Sequence, residues 1–308
     1  MPIYLPIAEL SLDVFMMLAI GGGVGLLAGM FGIGGGFLIT PLLIFLGVPP
    51  AVAAATGANT VIAPSVSGVL SHWRRRAVDL KMGAVLLVGG VAGSAASVAL
   101  FGLLSRLGQI DLVVQLAYVL LLGSVGVMML VEGLRALRRV RTPGSPLRKL
   151  HRHTWLHGLP LKLRFPKSKL YLSVFLPLGL GLVVGVLSGL MGIGGGFLLV
   201  PAMIYLLGMP TSVVVGTSLM QIIFVSSSVT WLQSWSHQTV DAMLALVLIF
   251  GAAAGAPLGA RLGARLKAEQ TRVLMALLIV AVALRLGSNL VLTPAELYSV
   301  ETHLTSAP

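Results

Sequence analysis

Ten apolar runs follow one another along the chain, near residues 12–31, 36–48, 51–72, 82–104 and 112–134, then 172–191, 196–208, 211–234, 242–262 and 272–292. Polar positions between them are few and short, except for one segment between about Arg135 and Lys169. The pattern predicts two membrane units, 1–135 and 171–308, joined by a basic linker, 136–170. Each unit holds five runs. The second run of each is only about 13 residues, roughly 20 Å as a helix, too short to cross the ~30 Å hydrocarbon core unaided. It is a half-helix that meets the others midway, or a re-entrant segment.

Those two short runs open on the same words. Residues 25–41 read GLLAGMFGIGGGFLITP and residues 185–201 read GVLSGLMGIGGGFLLVP, 160 positions apart. Each glycine costs a helix interior roughly 1 kcal/mol against Ala, so three together mark a broken helix. One reading is that the half-helices restarting at Phe37 and Phe197 aim unpaired N–H groups at a buried anion. Paired interruptions at matching places in two halves suggest a transporter binding site. The other reading is that these glycines only let helices approach closely. The duplication continues beyond them: Pro50 matches Pro210, Ala58 matches Ser218, and after a two-residue insertion Trp73, Asp79 and Gly93 match Trp235, Asp241 and Gly255. Asp79 and Asp241 open their helices, where a carboxylate suits the helix dipole. Trp73 and Trp235 read as interface anchors, with gating as the alternative.

Composition fixes the class. With 57% hydrophobic and 10% charged residues and a mean hydropathy of +1.00, this is an all-α polytopic membrane protein with 8–10 membrane segments. The start of the chain has no Lys or Arg ahead of the first run and carries Glu9 and Asp13, unlike a cleaved secretory signal. The 21 basic residues form three clusters, Arg74 to Lys81, Arg135 to Lys169 and Arg261 to Arg272, plus two singles. If the short run counts as a crossing, all three clusters fall on the cytoplasmic side and 19 of 21 obey the positive-inside rule. Counting it as re-entrant moves the third cluster outside. The expectation is therefore two inverted repeats of five segments. The net charge of +12 then serves orientation and lipid contact, with no need for nucleic acid.

Polar residues at membrane depth must find partners. Thr56 and Asn59 in the first half, and Thr217, Ser218 and Gln221 in the second, follow the broken segments closely. They could complete an anion cage with the N–H groups of Gly34, Gly35, Gly36, Phe37, Gly194, Gly195, Gly196 and Phe197, or simply bond between helices. Ser65, Ser67 and Thr230 lie deeper, and Ser226 to Ser228 read as packing.

Other chemistry is excluded or weak. There is no cysteine, hence no disulfide or thiolate metal site. His151, His153 and His157 lie among Lys and Arg that repel a cation, which argues against a metal. No acidic residue sits at the middle of a run, so a midplane carboxylate relay is absent, and Arg285 reads as a snorkelling cation. Gly-Ile-Gly-Gly-Gly lacks the βαβ unit a dinucleotide fingerprint needs. With no nucleophile–base pair, an enzyme is not expected, and no cofactor is called for.

The paired GIGGGF-x-x-x-P segments, the ATGAN and VGTSLMQ stretches, and the RRRAVD and HQTVD helix entries resemble the TauE/SafE family of membrane permeases. The segment HTWLHGLPLKLRFPKSKLY resembles its TauE-like members. The resemblance implies a permease of the bacterial cytoplasmic (inner) membrane that moves a sulfur-containing anion, sulfite or an organosulfonate such as sulfoacetate, most often outward. An uptake permease or an anion channel are the alternatives. Partners are then a small anion and the lipid bilayer; a homodimer is compatible with the chain, which marks no interface.

Overall fold

The computed structural model describes residues 2–31, 34–140, 162–168, 170–263 and 268–291. The three histidines of the linker, its prolines at 143, 146 and 160, and the basic positions 265 and 267 lie outside the described residues. The ten apolar runs become helices: α1 (Val14–Phe31), α2 (Gly36–Phe45), α3 (Pro50–Thr60) with α4 (Ile62–Arg74), α5 (Leu80–Arg106) and α6 (Ile110–Val140), then α7 (Phe175–Met191), α8 (Gly196–Tyr205), α9 (Thr211–Ser236), α10 (Ala242–Gly263) and α11 (Ala268–Val291). Six of these, α1, α5, α6, α9, α10 and α11, are long and apolar enough to cross a membrane alone. The protein is an all-α, multi-pass membrane protein.

The third run differs between the halves. In the second half it is the single helix α9, whereas in the first it breaks at Val61 into α3 and α4. Pro64 is the cause, since it lacks an N–H and its ring clashes with the carbonyl four residues back, that of Thr60. The matching stretch of α9 carries no proline.

Each half begins with a hairpin that the hydrophobic pattern does not announce. β1 (Pro2–Leu5) pairs antiparallel with β2 (Leu10–Asp13), joining Leu5 to Leu10. β3 (Lys162–Phe165) pairs with β4 (Leu170–Ser173), joining Phe165 to Leu170. The hairpins are 160 positions apart, like the glycine segments, and Leu5 and Phe165 are the fully buried anchors. The duplication thus reaches back into the end of the expected linker.

The halves interlock. A methyl group built on Gly21, Gly25 or Gly29 of α1 would meet the carbonyl oxygens of Leu248, Ala252 or Ala256 of α10 at 2.6, 2.3 and 2.0 Å. The same spacing recurs where Gly181 and Gly185 of α7 meet the carbonyls of Leu86 and Gly90 of α5 at 2.2 Å. Both are parallel pairs in which small residues four apart bring two backbones into contact. Each pair takes one helix from each half.

Contacts at the helix ends set the layout. Hairpin β1–β2, the ends of α2, α5 and α9 and the starts of α1, α3, α6 and α10 lie together. Ile7 N–H reaches Asp241, Gly47 faces Leu10, Ala51 N–H donates to Asp111, and Gly102 faces His237. At the opposite end, Ser168 and Lys167 of hairpin β3–β4 bond Asp79 and the Val78 carbonyl at the start of α5. Gly216 near the start of α9 faces Ala77, and Gly133 of α6 faces Val273 of α11. Arg74 to Arg76, Lys81, Arg135, Arg164, Lys167 and Arg261 all belong to that second end.

Candidate functional site: two glycine turns at the centre

The chain leaves α1, turns, and re-enters as α2 alongside the helix it has just left. Gly34 and Gly35 take φ of 84° and 70°, and Gly194 and Gly195 take 70° and 74°, left-handed values that favour glycine. A methyl on Gly35 would lie 3.3 Å from the carbonyl oxygen of Val24, and one on Gly195 would touch Val184 at 2.3 Å. Each half-helix therefore begins about midway along the helix before it. At 10 residues, or roughly 15 Å, each then runs back to the end where its half began. These glycines also pack closely, since a methyl on Gly36 would meet the Ile193 carbonyl oxygen at 2.4 Å, and the stripes on α1, α5, α7 and α10 do the same between long helices. The Gly-Gly-Gly breaks are turns.

The two turns meet. Phe37 and Phe197, the second residues of α2 and α8, have ring centroids 5.7 Å apart and are both buried. A methyl on Gly34 would lie 3.0 Å from Val61 Cγ1, and one on Gly194 would lie 3.1 Å from the same atom. Ile222 touches both glycines in the same way, at 3.5 and 3.2 Å. The N-caps are Gly35 and Gly195, which have no side chain to cap the helices they begin. The N–H groups of Leu38 and Leu198 close onto the carbonyls of Gly35 and Gly195, and those of Gly36, Phe37, Gly196 and Phe197 before them lie too early for an α-helical partner, so two helix N-termini meet at one buried point. Tyr118 O–H donates to the Met191 carbonyl (2.6 Å) and Gly192 rests on the Ala54 backbone, so both α6 and α3 hold the second turn in place.

The side chains expected beside these turns divide into two groups. Thr56 and Thr217 are fully buried but act as latches between the halves. Asp241 N–H donates to Thr56 Oγ1 at 3.1 Å, and Asp79 N–H donates to Thr217 Oγ1 at 3.0 Å. Thr217 also donates to the Val213 carbonyl, so its one proton is already committed. Ser218 Oγ donates to the Val215 carbonyl, and Gln221 Nε2 to the Leu86 carbonyl at 3.4 Å. Asn59 is half-buried.

The latched aspartates do more than face a dipole. Asp79 Oδ1 caps α5 by accepting from Met82 N–H, while its Oδ2 accepts from the N–H and hydroxyl of Ser168 at 3.0 and 2.6 Å. Asp241 Oδ1 caps α10 through Met243 and Leu244, and its Oδ2 accepts from Ile7 N–H. Each aspartate thus ties its own helix to the hairpin and the third run of the other half.

Two side chains that were not expected at the turns are found there. Ser65 Oγ lies 3.3 Å from the methyl position on Gly34, and Ser226 Oγ lies 3.1 Å from that on Gly194. Both residues are 0% exposed, and neither hydroxyl has a hydrogen-bond partner among the described residues. They are 161 positions apart, as are Val61 and Ile222. That spacing falls between the 160 and 162 offsets on either side of the insertion, so the sequence alone does not pair them, and it says nothing of where a hydroxyl points. Towards the basic end, a recess of about 410 Å³ is lined by Ser67, Leu70, Ser71, Arg74 and Arg75 on and after α4.

The chain is similar to known proteins. The family model described as sulfite exporter TauE/SafE matches residues 17–286. The probable membrane transporter protein YjnA of Bacillus subtilis is 30% identical over 246 residues, covering 79% of this chain and 86% of the relative. A probable membrane transporter protein of Xylella fastidiosa is 31% identical over 239 residues, 75% and 77% of the two chains. A shorter stretch of 46 residues is 54% identical to the sulfite exporter TauE/SafE family protein 6 of Arabidopsis thaliana, covering 15% of this chain. No solved structure matches. With the family model spanning both membrane units and both glycine turns, this chain belongs to the TauE/SafE family of membrane transporters.

Proposed function

We propose that the protein is a secondary transporter that moves a sulfur-containing anion, sulfite or a small organosulfonate such as sulfoacetate, across the bacterial cytoplasmic membrane, most readily outward. The observation that carries this is the meeting of two uncapped helix N-termini at one buried point. Each N-terminus behaves as roughly half a positive charge, and pre-aimed backbone N–H groups are ready donors to an oxyanion. The N–H groups around Gly34 to Phe37 and Gly194 to Phe197 hold the anion. Asn59, Ser218 and Gln221 stand close enough in sequence to be drawn in as the halves move, while Thr56 and Thr217 act at the latches.

The halves are inverted repeats in this reading. α1 begins at the end opposite to α7, and the described members of all three basic clusters share one end, which is then cytoplasmic. One half rocks against the other, and the latches break and re-form in alternation. No coupling ion is required for export, because an inside-negative membrane drives an anion outward with about 2.3 kcal/mol per charge per 100 mV.

The test is movement of labelled sulfite and sulfoacetate into proteoliposomes under an imposed potential of either sign without an ion gradient. Saturable movement that follows the potential is the expected result. Dependence on an added proton or sodium gradient would make it a coupled permease, and unitary currents would make it a channel.

A further inference from the structure

Seven serines on the membrane helices settle their hydroxyls on their own helix. Ser94, Ser97, Ser124, Ser218, Ser227, Ser228 and Ser288 each donate to a carbonyl three or four residues back. The fully buried hydroxyls of Ser65, Ser188 and Ser226 have no partner among the described residues. Of these three, Ser65 and Ser226 lie against the left-handed glycine of their own half. Ser226 lies next to Ser227 and Ser228, so the backbone there allows the self-satisfying rotamer. A buried hydroxyl with no partner is costly, and two placed alike at the two glycine turns that meet call for an acceptor there.

Charge limits what that acceptor can be. Among the described residues the buried charged side chains are Asp79 and Asp241, both carboxylates and both latched at helix starts away from the turns. Among the described residues no buried cation compensates a ligand at the centre. The positive potential there comes from two helix N-termini, about half a charge each, which together balance one negative charge. A second charge on the ligand would be buried without compensation.

Resting on the transport reading above, we infer that Ser65 and Ser226 are the side-chain ligands of the central site, and that within the substrate class proposed there the site takes a singly charged oxyanion such as hydrogen sulfite or a simple monosulfonate and rejects a doubly charged one, sulfoacetate at neutral pH included. Each hydroxyl donates to one anion oxygen, and the N–H groups of the two turns hold the rest. Selectivity then follows from valence, since the site has no cation to offer a dianion.

The experiment uses the full chain in proteoliposomes, with labelled methanesulfonate as the transported probe and methylphosphonate as competitor. The two are isosteric, but methylphosphonate is doubly charged in mildly alkaline buffer and singly charged in mildly acidic buffer. Wild-type uptake should be inhibited by methylphosphonate in acid and hardly at all in alkali. Ser65→Ala and Ser226→Ala should each raise KM by roughly tenfold or more, whereas Ser227→Ala should leave it unchanged. Thermal unfolding of the same variants separates ligation from folding. The alanine variants should melt no lower than wild type when empty, and should lose the upward shift that methanesulfonate gives wild type. Unchanged KM and an intact ligand shift in both alanine variants, or equal inhibition by methylphosphonate in both buffers, would overturn this inference while leaving the transport reading in place. A wild-type protein that moves neither sulfite, sulfoacetate nor methanesulfonate would overturn the transport reading, and this inference with it.

Discussion

Ser226 and Ser227 are neighbours on α9 with opposite fates: one hydroxyl is buried and unpartnered, the other is exposed and bonded to the Ile223 carbonyl. Removing a buried, unsatisfied hydroxyl should stabilise the empty protein, so Ser226→Ala is expected to gain about 1 kcal/mol in denaturant unfolding while it weakens transport. A loss of stability would mean that the hydroxyl has a structural partner. Gly192 gives the opposite case. Its φ is 68°, and a methyl would meet the Ala54 carbonyl oxygen at 1.8 Å, so Gly192→Ala should cost more than about 2 kcal/mol. The measurable outcome is loss of monodisperse protein after detergent extraction. The sequence named the glycines because their cost to a helix is local. It could not rank the polar residues near them, because whether a hydroxyl is spent depends on a backbone group in the other half. The sequence reads Thr56 and Thr217 as ligands and Ser226 as packing, and neither the bonds from Asp241 and Asp79 N–H nor the unpartnered Ser226 hydroxyl is visible in it.

At the scale of elements, the periodic signal was strong wherever a run was long. All ten apolar runs became helices, and the short second run in each half proved to be a returning half-helix. What the pattern missed is short or depends on one residue. Four-residue strands at the mouth of each half carry too little alternation to stand out from a linker, and the kink at Val61 rests on Pro64 alone. The cross-half latches invite a direct test. Thr217→Val keeps the shape but leaves the Asp79 N–H buried without an acceptor, which should cost about 1–3 kcal/mol. If the latches open and close during transport, the variant should also shift the balance between conformations, seen as a changed rate of proteolysis or alkylation at hairpin β3–β4. An unchanged stability would mean that Asp79 N–H finds water instead. The two latches are unequal, since Ser168 adds a hydroxyl bond to Asp79 where its counterpart, Ala8, has none to give Asp241.

For the whole molecule, two interlocked halves explain how one short motif can build one site. Neither glycine turn is complete alone: Gly36 faces the Ile193 carbonyl, and Val61 and Ile222 each touch both turns. The duplication was legible in the sequence, and so were the three basic clusters. That the halves exchange partners through α1 with α10 and α5 with α7 was not, because stripes of small residues name no partner. In a chain without cysteine, single-cysteine labelling can test the arrangement. Arg76→Cys should react with an impermeant thiol reagent from the cytoplasmic side and Ser236→Cys from the outer side. Reaction of both from one side would remove the inverted arrangement. The most direct measurement of the central claim is anomalous diffraction at the selenium edge from crystals of unsubstituted protein soaked in selenite, an isostere of sulfite. The account predicts one peak within hydrogen-bond reach of the turns at Gly34 and Gly194 and of the hydroxyls of Ser65 and Ser226. A centre with no selenium, and a peak in the Arg74 and Arg75 recess instead, would contradict it.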